Sequence, residues 1–270
     1  MKHILPVLMA TLASAVFVGC ANFGNAPIPA PPVKQFRGSA NAAAVVVGLT
    51  RVNPKAYDGW NGKCPGCDED AKTFAIACES NDVSYDLLLN EQATASGIEA
   101  YARDAVSRLT DGGLLILYMA GHGGEYDDPS DPTEKDGKSQ TLCLWDGQLS
   151  DNLVWVLLSQ VPAGIRVWMI TDCCNSGSNF RSYNYTPMVQ RRSRTTQRVP
   201  NLLHWGGCGD GENSQGSAQG GVFTTALVDA YATGQTYAEW FAAAKEKMPR
   251  NQTPTVAFTG KDFQDMPAFK

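Results

Sequence analysis

The sequence predicts an α/β fold, a mostly parallel six-stranded sheet with helices on both faces. Short apolar runs alternate along the chain with amphipathic stretches that have helical spacing. Runs without alternating polar residues are typical of strands that are covered on both faces, as in parallel sheets. The predicted strands cover 42–49, 85–89, 114–119, 166–170, 201–205 and 254–258, and the predicted helices cover 68–79, 94–109, 153–159, 223–231 and 237–247.

Length and composition are those of an ordinary globular protein. The chain has 270 residues, 43% of them hydrophobic and 18% charged, which suits one large α/β domain. A net charge of −5 offers no basic footprint for nucleic acid, so we expect no such partner. Beyond the N-terminal stretch no apolar run approaches the roughly 20 residues that span a bilayer. We therefore expect membrane contact only through the N-terminus. We also expect the protein to be a monomer.

The N-terminus has the pattern of an export signal. A basic start is followed by an apolar stretch over 4–18 and then by Gly19 and Cys20. This predicts a signal peptide over 1–20 of the lipoprotein type, with Cys20 lipidated and the protein in the bacterial cell envelope. Phe17 fits that cleavage site poorly, so cleavage after Ala21, giving a periplasmic protein, is the competing interpretation. An uncleaved hydrophobic tail is a third possibility, and the proline-containing stretch 21–41 is predicted to be a flexible tether.

Two predicted strands end in glycine-rich turns that carry chemically reactive side chains. His122 follows the strand 114–119, and Cys174 follows the strand 166–170. The chain has three histidines, and His3 lies in the predicted leader. Functional groups collect at the carboxyl ends of parallel strands, which lie about 4.8 Å apart when adjacent. We therefore expect the imidazole of His122 to take the proton of the Cys174 thiol, which turns Cys174 into a nucleophile. The alternative is a core cysteine and a structural histidine.

The residues around this dyad suggest how a substrate would bind. Glycines flank His122, so the backbone N–H groups of Gly123 and Cys174 could bind an oxyanion. Strand side chains alternate between faces, so Asp172 should share a side with Cys174 and not with Cys173. A carboxylate beside the nucleophile favours a cationic residue, Arg or Lys, before the scissile bond.

The two turns also resemble a known family. Residues 118–124 read YMAGHGG and residues 172–177 read DCCNSG, and both resemble the active-site motifs of metacaspases, the caspase-fold cysteine peptidases of bacteria, fungi, protists and plants. The 52-residue separation of His122 and Cys174 suits the caspase spacing of about 50. The resemblance runs from about residue 42 to 258. It implies a caspase-like fold and a cysteine endopeptidase whose nucleophile is the second cysteine, Cys174.

The resemblance also implies a second acidic residue in the specificity pocket. Residues 67–71, CDEDA, look like the family's helix start, and Asp70 occupies the position of its pocket carboxylate. Taken without the resemblance, Asp70 is as readily a solvated charge in the first turn of a helix. Further similar stretches lie at 206–214, 221–224 and 252–254.

The sequence departs from the family pattern at several positions. Asn175 stands where the family usually has a second histidine, a position that is not the general base. Calcium-dependent members carry several acidic residues around the sheet, and here Asn152, Ser139 and Arg181 replace three of them. A hard cation needs several carboxylate oxygens. The sequence therefore predicts no metal or cofactor and argues against calcium activation. The acidic cluster 127–131 is read as a solvated loop, with a weakly bound ion as the alternative.

The predicted peptidase domain covers 42–260 and is divided by a basic loop. A large segment over 42–178 precedes the loop 179–198, and a small segment over 199–260 follows it, with a tail over 261–270. The loop is polar and near the nucleophile, so we expect self-cleavage there after Arg191, Arg192 or Arg194. The alternative is a surface loop that binds anionic lipid headgroups or cell-wall polymers.

The remaining cysteines suggest one disulfide. Cys64 and Cys67 form a single CxxC pair, and a tetrahedral zinc site would need two more ligands. In an exported protein a local disulfide is the simpler interpretation. Two further functions remain possible, a catalytically weak caspase-like binding or regulatory module and, less favoured, a CxxC thiol oxidoreductase. The cysteines predicted to be plain core residues are Cys78, Cys143, Cys173 and Cys208.

Overall fold

The central sheet of the computed structural model has seven strands, one more than the sequence predicts. The structure describes residues 30–128, 137–180, 200–260 and 262–270. The strands are β1 (Lys34–Phe36), β2 (Ala42–Gly48), β3 (Ser84–Leu89), β4 (Leu114–Ala120), β5 (Gly123–Asp127), β6 (Lys138–Leu144), β7 (Gly147–Ser150), β8 (Arg166–Asp172), β9 (Asn201–Gly206), β10 (Gly216–Ser217), β11 (Gly220–Gly221) and β12 (Thr255–Phe258). The main sheet has the order β1-β3-β2-β4-β8-β9-β12. Its five inner strands run parallel, and β1 and β12 close the edges in antiparallel pairing.

The additional strand comes from the predicted tether. Lys34–Phe36 pairs antiparallel with β3, where Gln35 lies opposite Asp86. The buried carboxylate of Asp86 accepts from Arg37 Nη2 at 2.8 Å, which holds the segment against the sheet. The prediction of a flexible tether up to residue 41 is therefore wrong for this part. A three-residue edge strand with a lysine and a glutamine has no apolar run that would reveal it.

Helices cover both faces of the sheet, as predicted. They are α1 (Cys67–Ser80), α2 (Ala95–Ser107), α3 (Asp151–Ser159), α4 (Val222–Ala230) and α5 (Tyr237–Lys247). Alternation along β2 separates the two cores, because Ala44 and Val46 pack with residues of α1, α4 and α5 while Val45 and Val47 pack with those of α2 and α3. No helix in the described part of the chain is long and apolar enough to cross a membrane.

A second, three-stranded sheet begins directly after His122. Strands β5, β6 and β7 pair antiparallel in chain order. The sequence did not predict these strands, because β5 starts with Gly123 and Gly124 and exposes Glu125 and Asp127 to solvent. The backbone N–H of Cys143 donates to the His122 carbonyl at 3.0 Å, so this sheet fixes the chain on the far side of the histidine.

The C-terminal residues pack into the larger core and are not a free tail. Trp168 of β8 contacts the rings of Trp205, Trp240, Tyr237 and Phe269 at centroid distances of 4.8 to 5.5 Å. The Phe269 backbone N–H also donates to the Tyr237 hydroxyl at 3.1 Å. Edge-to-face contacts of this kind add to the burial of the rings. The predicted tail over 261–270 is therefore wrong in its described part, which belongs to the folded unit.

Phe269→Ala should lower the free energy of unfolding by roughly 3–5 kcal/mol, the usual cost of removing a buried aromatic side chain. Phe258→Ala is the matched control, because the Phe258 side chain on the edge strand is 41% exposed. Urea unfolding followed by tryptophan fluorescence measures both. Equal losses in the two variants would show that the C-terminus contributes no more than a surface residue.

Candidate active site

The two residues of the predicted dyad follow the ends of the adjacent strands β4 and β8. The two strands pair in register up to Ala120 opposite Asp172, and the Gly121 N–H donates to the Asp172 carbonyl at 3.3 Å. His122 and Cys174 then follow two neighbouring strand ends. A Cβ atom on Gly123 would lie 1.8 Å from the Cys174 carbonyl oxygen, so only glycine fits where the two turns meet. The predicted oxyanion donors, the N–H groups of Gly123 and Cys174, therefore lie on adjoining turns.

The two adjacent cysteines occupy different environments. Cys173 is fully buried, and its Sγ accepts from Asn179 Nδ2 at 3.4 Å inside the protein. Cys174 is only partly buried. Burial raises the pKa of the Cys174 thiol, against a smaller lowering by the Ser214 backbone N–H. A protonated thiol at rest needs a base at the moment of attack.

His122 is oriented by a loop that precedes α1. Its Nε2 lies 3.4 Å from the Lys63 carbonyl oxygen, and its ring packs against that of Trp60 at a centroid distance of 4.9 Å. A carbonyl accepts only, so this contact places the proton on Nε2 and leaves Nδ1 as the acceptor. No sequence pattern indicates this arrangement, because one partner is a backbone carbonyl and the other a 45% exposed tryptophan.

The other described histidine is unsuited to be the base. His204 is fully buried, its Nε2 lies 3.0 Å from Thr171 Oγ1, and its ring stacks on Phe180. Burial lowers the pKa of His204 to about 3, so the imidazole stays neutral at physiological pH.

Two buried carboxylates converge on the N-terminus of α4. The Gly221 N–H donates to both carboxylate oxygens of Asp70, at 2.8 Å each. Asp172 Oδ2 accepts from the N–H and hydroxyl of Thr224 at 3.0 and 2.7 Å. Asp172 Oδ1 accepts from the Ser214 hydroxyl at 2.5 Å. The sequence predicted both acids for the pocket, and the structure adds the groups that hold them.

The site is electrostatically negative. A Cβ atom on Gly221 would lie 2.4 Å from Asp172 Oδ2 and 3.1 Å from Asp70 Oδ2, so the two carboxylates are near neighbours. Burial, and then the charge of Asp172, raises the pKa of Asp70 to about 7. Burial likewise raises the pKa of Asp172. Among the described residues no lysine or arginine forms an ion pair with either acid.

The CxxC cysteines lie beside this site. Cys64 and Cys67 are free thiols whose sulfur atoms are 2.7 Å apart, so the disulfide stays a prediction. Other predicted residues are outside the described part of the chain. They are Cys20 and the arginines Arg181, Arg191, Arg192 and Arg194.

Comparisons with known proteins identify the family of the chain. The family model of the caspase domain, Peptidase C14, matches residues 50–269. The chain belongs to the caspase domain family. The matched range includes both turns, Asp70 and Asp172, and Phe269, which packs on Trp168.

Individual relatives are distant. Metacaspase-3 of Trypanosoma brucei brucei is 24% identical over 221 residues, 72% of this chain and 60% of that protein. Metacaspase-2 from the same organism is 24% identical over 185 residues, 58% of this chain and 53% of that protein. The chain thus spans little more than half the length of these two relatives.

Solved structures share the fold. Protein GSU0716 from Geobacter sulfurreducens aligns with a TM-score of 0.70 and 27% identity, over 85% of this chain and 98% of that one. Caspase-1 from Spodoptera frugiperda aligns with a TM-score of 0.57 and 14% identity, over 88% and 95% of the two chains. The caspase-like α/β fold predicted from the sequence is confirmed, with seven strands in place of six in the main sheet.

Cys174→Ala should abolish peptide hydrolysis, by a factor on the order of 10⁴ or more, because a nucleophile is lost. Cys173→Ala should retain most of the activity, since that thiol is buried away from the surface. Initial rates on a fluorogenic peptide measure both variants. An inactive Cys173→Ala beside an active Cys174→Ala would reverse the assignment of the nucleophile.

His122→Ala should lower turnover by about 10²–10⁴-fold, the usual contribution of a general acid–base group. His204→Ala is the control, and its main effect should be on stability because the ring is buried. Turnover is compared for variants whose circular dichroism spectra match that of the wild type. Equal losses of turnover in two folded variants would remove the distinction between the two histidines.

Proposed function

We propose that this protein is a cysteine endopeptidase that cleaves peptide bonds after Arg or Lys. The observation that supports this substrate class is the pair of buried carboxylates, Asp70 and Asp172, next to the partly exposed Cys174. Burying two like charges is costly unless a counter-charge joins them. A guanidinium or ammonium group of the substrate supplies that charge and makes charge-assisted hydrogen bonds with both acids.

In the proposed reaction His122 acts first as a base. With Nε2–H held by the Lys63 carbonyl, Nδ1 takes the proton from Cys174 Sγ. The thiolate then attacks the carbonyl carbon of the scissile bond, and the oxygen becomes an oxyanion. The N–H groups of Gly123 and Cys174 donate to this oxyanion from adjoining turns.

The same imidazole completes the cycle as an acid and again as a base. The imidazolium of His122 protonates the departing amine, the C–N bond breaks, and a thioester on Cys174 remains. A water molecule, deprotonated by His122, attacks the thioester, and Cys174 leaves as the thiol with the acid product released. No step uses a metal ion.

We also propose that calcium is not required. The positions that match calcium-dependent relatives do not fit a cation here, because Ser139 and Asn152 supply neutral groups. The acid that remains at these positions is Asp151, at the start of α3. Its carboxylate accepts a hydrogen bond from the Asn152 N–H at 2.7 Å. Within the described residues, no group of three or more His, Cys, Asp or Glu side chains is placed to hold a metal ion.

The proposed location is the bacterial cell envelope. The basic and apolar pattern of residues 1–20 supports export, with either a lipid on Cys20 or cleavage after Ala21. We propose that the enzyme works as a monomer and meets the membrane only through this anchor.

Asp70→Asn tests the substrate class. It should lower kcat/KM for Arg-ended peptides by about tenfold to a hundredfold, the value of one charge-assisted hydrogen bond, and leave Gln-ended peptides nearly unchanged. Asparagine keeps the acceptor for the Gly221 N–H. To test the calcium proposal, wild-type rates are measured with added calcium and with a chelator, and the two should be equal. The same Arg-over-Gln preference in wild type and variant would contradict the pocket, and no hydrolysis by the wild type would favour a binding module.

The raised pKa of Asp70 gives this variant a second signature. The pKa is about 7 in the folded protein and 3.8 ordinarily, so the folded state holds the proton more tightly. The contribution of this group to the free energy of unfolding is therefore fully present below pH 3.8 and is lost as the pH rises to about 7. Asp70→Asn should consequently raise Tm at pH 8 while it lowers activity towards Arg peptides. A lower Tm at pH 8 would indicate that the ionised carboxylate is structural.

Self-cleavage should occur after Arg191, Arg192 or Arg194. These residues lie outside the described part of the chain, between Phe180 and Pro200, in a predicted loop that begins a few residues after the nucleophile. Intact masses of wild type and Cys174→Ala, followed over time, locate the cut. Fragments only in the wild type are expected. A wild-type chain that stays intact while it hydrolyses Arg peptides would contradict self-cleavage alone.

A further inference from the structure

The segment between β2 and α1 links the base to the specificity pocket. The Cys64 backbone N–H donates to the Thr50 carbonyl at 2.8 Å, which anchors the segment. One residue earlier the Lys63 carbonyl contacts His122. Three residues after Cys67, Asp70 receives the Gly221 N–H. Cys64 and Cys67 therefore lie between a residue that contacts the base and a residue of the proposed pocket.

The segment also fits closely against the strands that carry Gly221. Gly66 has a φ of +96°, and a Cβ atom there would lie 2.0 Å from the Ser217 carbonyl oxygen and 2.8 Å from Gly220 N. The backbone thus packs directly against β10 and β11. The segment therefore has little freedom to shift without moving the strand that carries Gly221.

The two thiols in this segment are placed to react with each other. Cys64 Sγ and Cys67 Sγ are 2.7 Å apart, and Cys64 is partly exposed, so an oxidant can reach it. Other pairs are less suitable. Cys173 and Cys208 are both fully buried, and the Cys208 thiol donates to the Cys173 carbonyl.

We propose that Cys64 and Cys67 are a redox-modification site that controls the peptidase, with the disulfide as the more active state. This inference rests on the proposed function. The oxidant is a disulfide such as oxidised glutathione. The Cys64 thiolate attacks one of its sulfur atoms and releases the first glutathione thiolate. The deprotonated Cys67 then attacks Cys64 Sγ and releases the second. The cysteines lose two electrons and two protons, and the oxidant is reduced to two thiols.

Charge and rigidity give the direction of control. The hydrogen bond from Cys67 lowers the pKa of Cys64, which favours a thiolate in the reduced segment. Negative charge on Cys64 raises the pKa of Cys174 and adds to the negative charge around Asp172. A disulfide removes that charge and cross-links the segment that carries the Lys63 carbonyl. Removing that charge lowers the pKa of Cys174 and so increases its thiolate fraction, which outweighs the accompanying loss of intrinsic nucleophilicity.

Two measurements test the site. Cys174→Ala is equilibrated in glutathione buffers of rising oxidised fraction, and intact mass is read after acid quenching. Loss of the mass of two hydrogen atoms is expected, and its absence from Cys64→Ser/Cys67→Ser assigns it to the pair. No such loss in Cys174→Ala would overturn the proposal, whatever the protein's activity.

Activity is measured in the same buffers. The double serine variant reports the effect of oxidation at the remaining cysteines, including Cys174. Cys78→Ala, which removes a buried core thiol, should behave as wild type. The wild type should gain in kcat/KM relative to the double variant as the pair oxidises. An equal or falling ratio, with the mass change present, would overturn the regulatory role. Absence of hydrolysis in every buffer would overturn the proposed function, while the mass readout would still decide the redox site.

Discussion

The parallel pairing of β4 with β8 is the constraint on which the candidate site depends. Its register runs from Leu114 opposite Arg166 to Ala120 opposite Asp172, through the middle of the sheet. A shift of one residue would turn every side chain of one strand to the other face. Because both faces are packed with helices, such a shift is excluded. The two reactive turns therefore leave the sheet at a fixed separation, and Gly123 can touch the Cys174 backbone.

The two buried carboxylates have a structural role besides the pocket role proposed for them. Asp172 receives the Thr224 N–H in the first turn of α4, and Asp70 receives the Gly221 N–H that precedes it. Negative charge at a helix N-terminus is favourable, which offsets part of the cost of burial. The compensation is incomplete, since the pKa values of both acids remain raised. The fold thus holds an acidic pair at some cost in stability, the usual relation between stability and a preformed binding site.

The sequence predicted the parts of the fold that depend on burial. The inner strands and the five helices of the described residues were predicted because apolar side chains recur in them at regular spacing. The sequence patterns did not predict the strands Lys34–Phe36 and Gly123–Asp127, because an edge strand and a glycine-rich strand need few apolar residues. Phe269 was assigned to a tail because one ring at a chain end forms no periodic pattern.

Within the site, side-chain chemistry was predictable and backbone chemistry was not. The dyad and Asp172 followed from their positions at strand ends, whereas the pocket role of Asp70 came from the family resemblance. The Lys63 carbonyl and Trp60 lie far from His122 in the chain and belong to no regular element that would place them. A carbonyl is present at every residue, so only the folded backbone shows which one is used.

The position of the predicted cleavage segment between two neighbouring strands has a consequence for the lifetime of the protein. Strands β8 and β9, which flank it, pair along six residues from Arg166 opposite Asn201 to Thr171 opposite Gly206. After a cut between these two strands, the two fragments would stay associated, because neither fragment contains a complete hydrophobic core. Once unfolded, however, the pieces would have to find each other by diffusion. Refolding would become concentration-dependent, and at low concentration unfolding would be final.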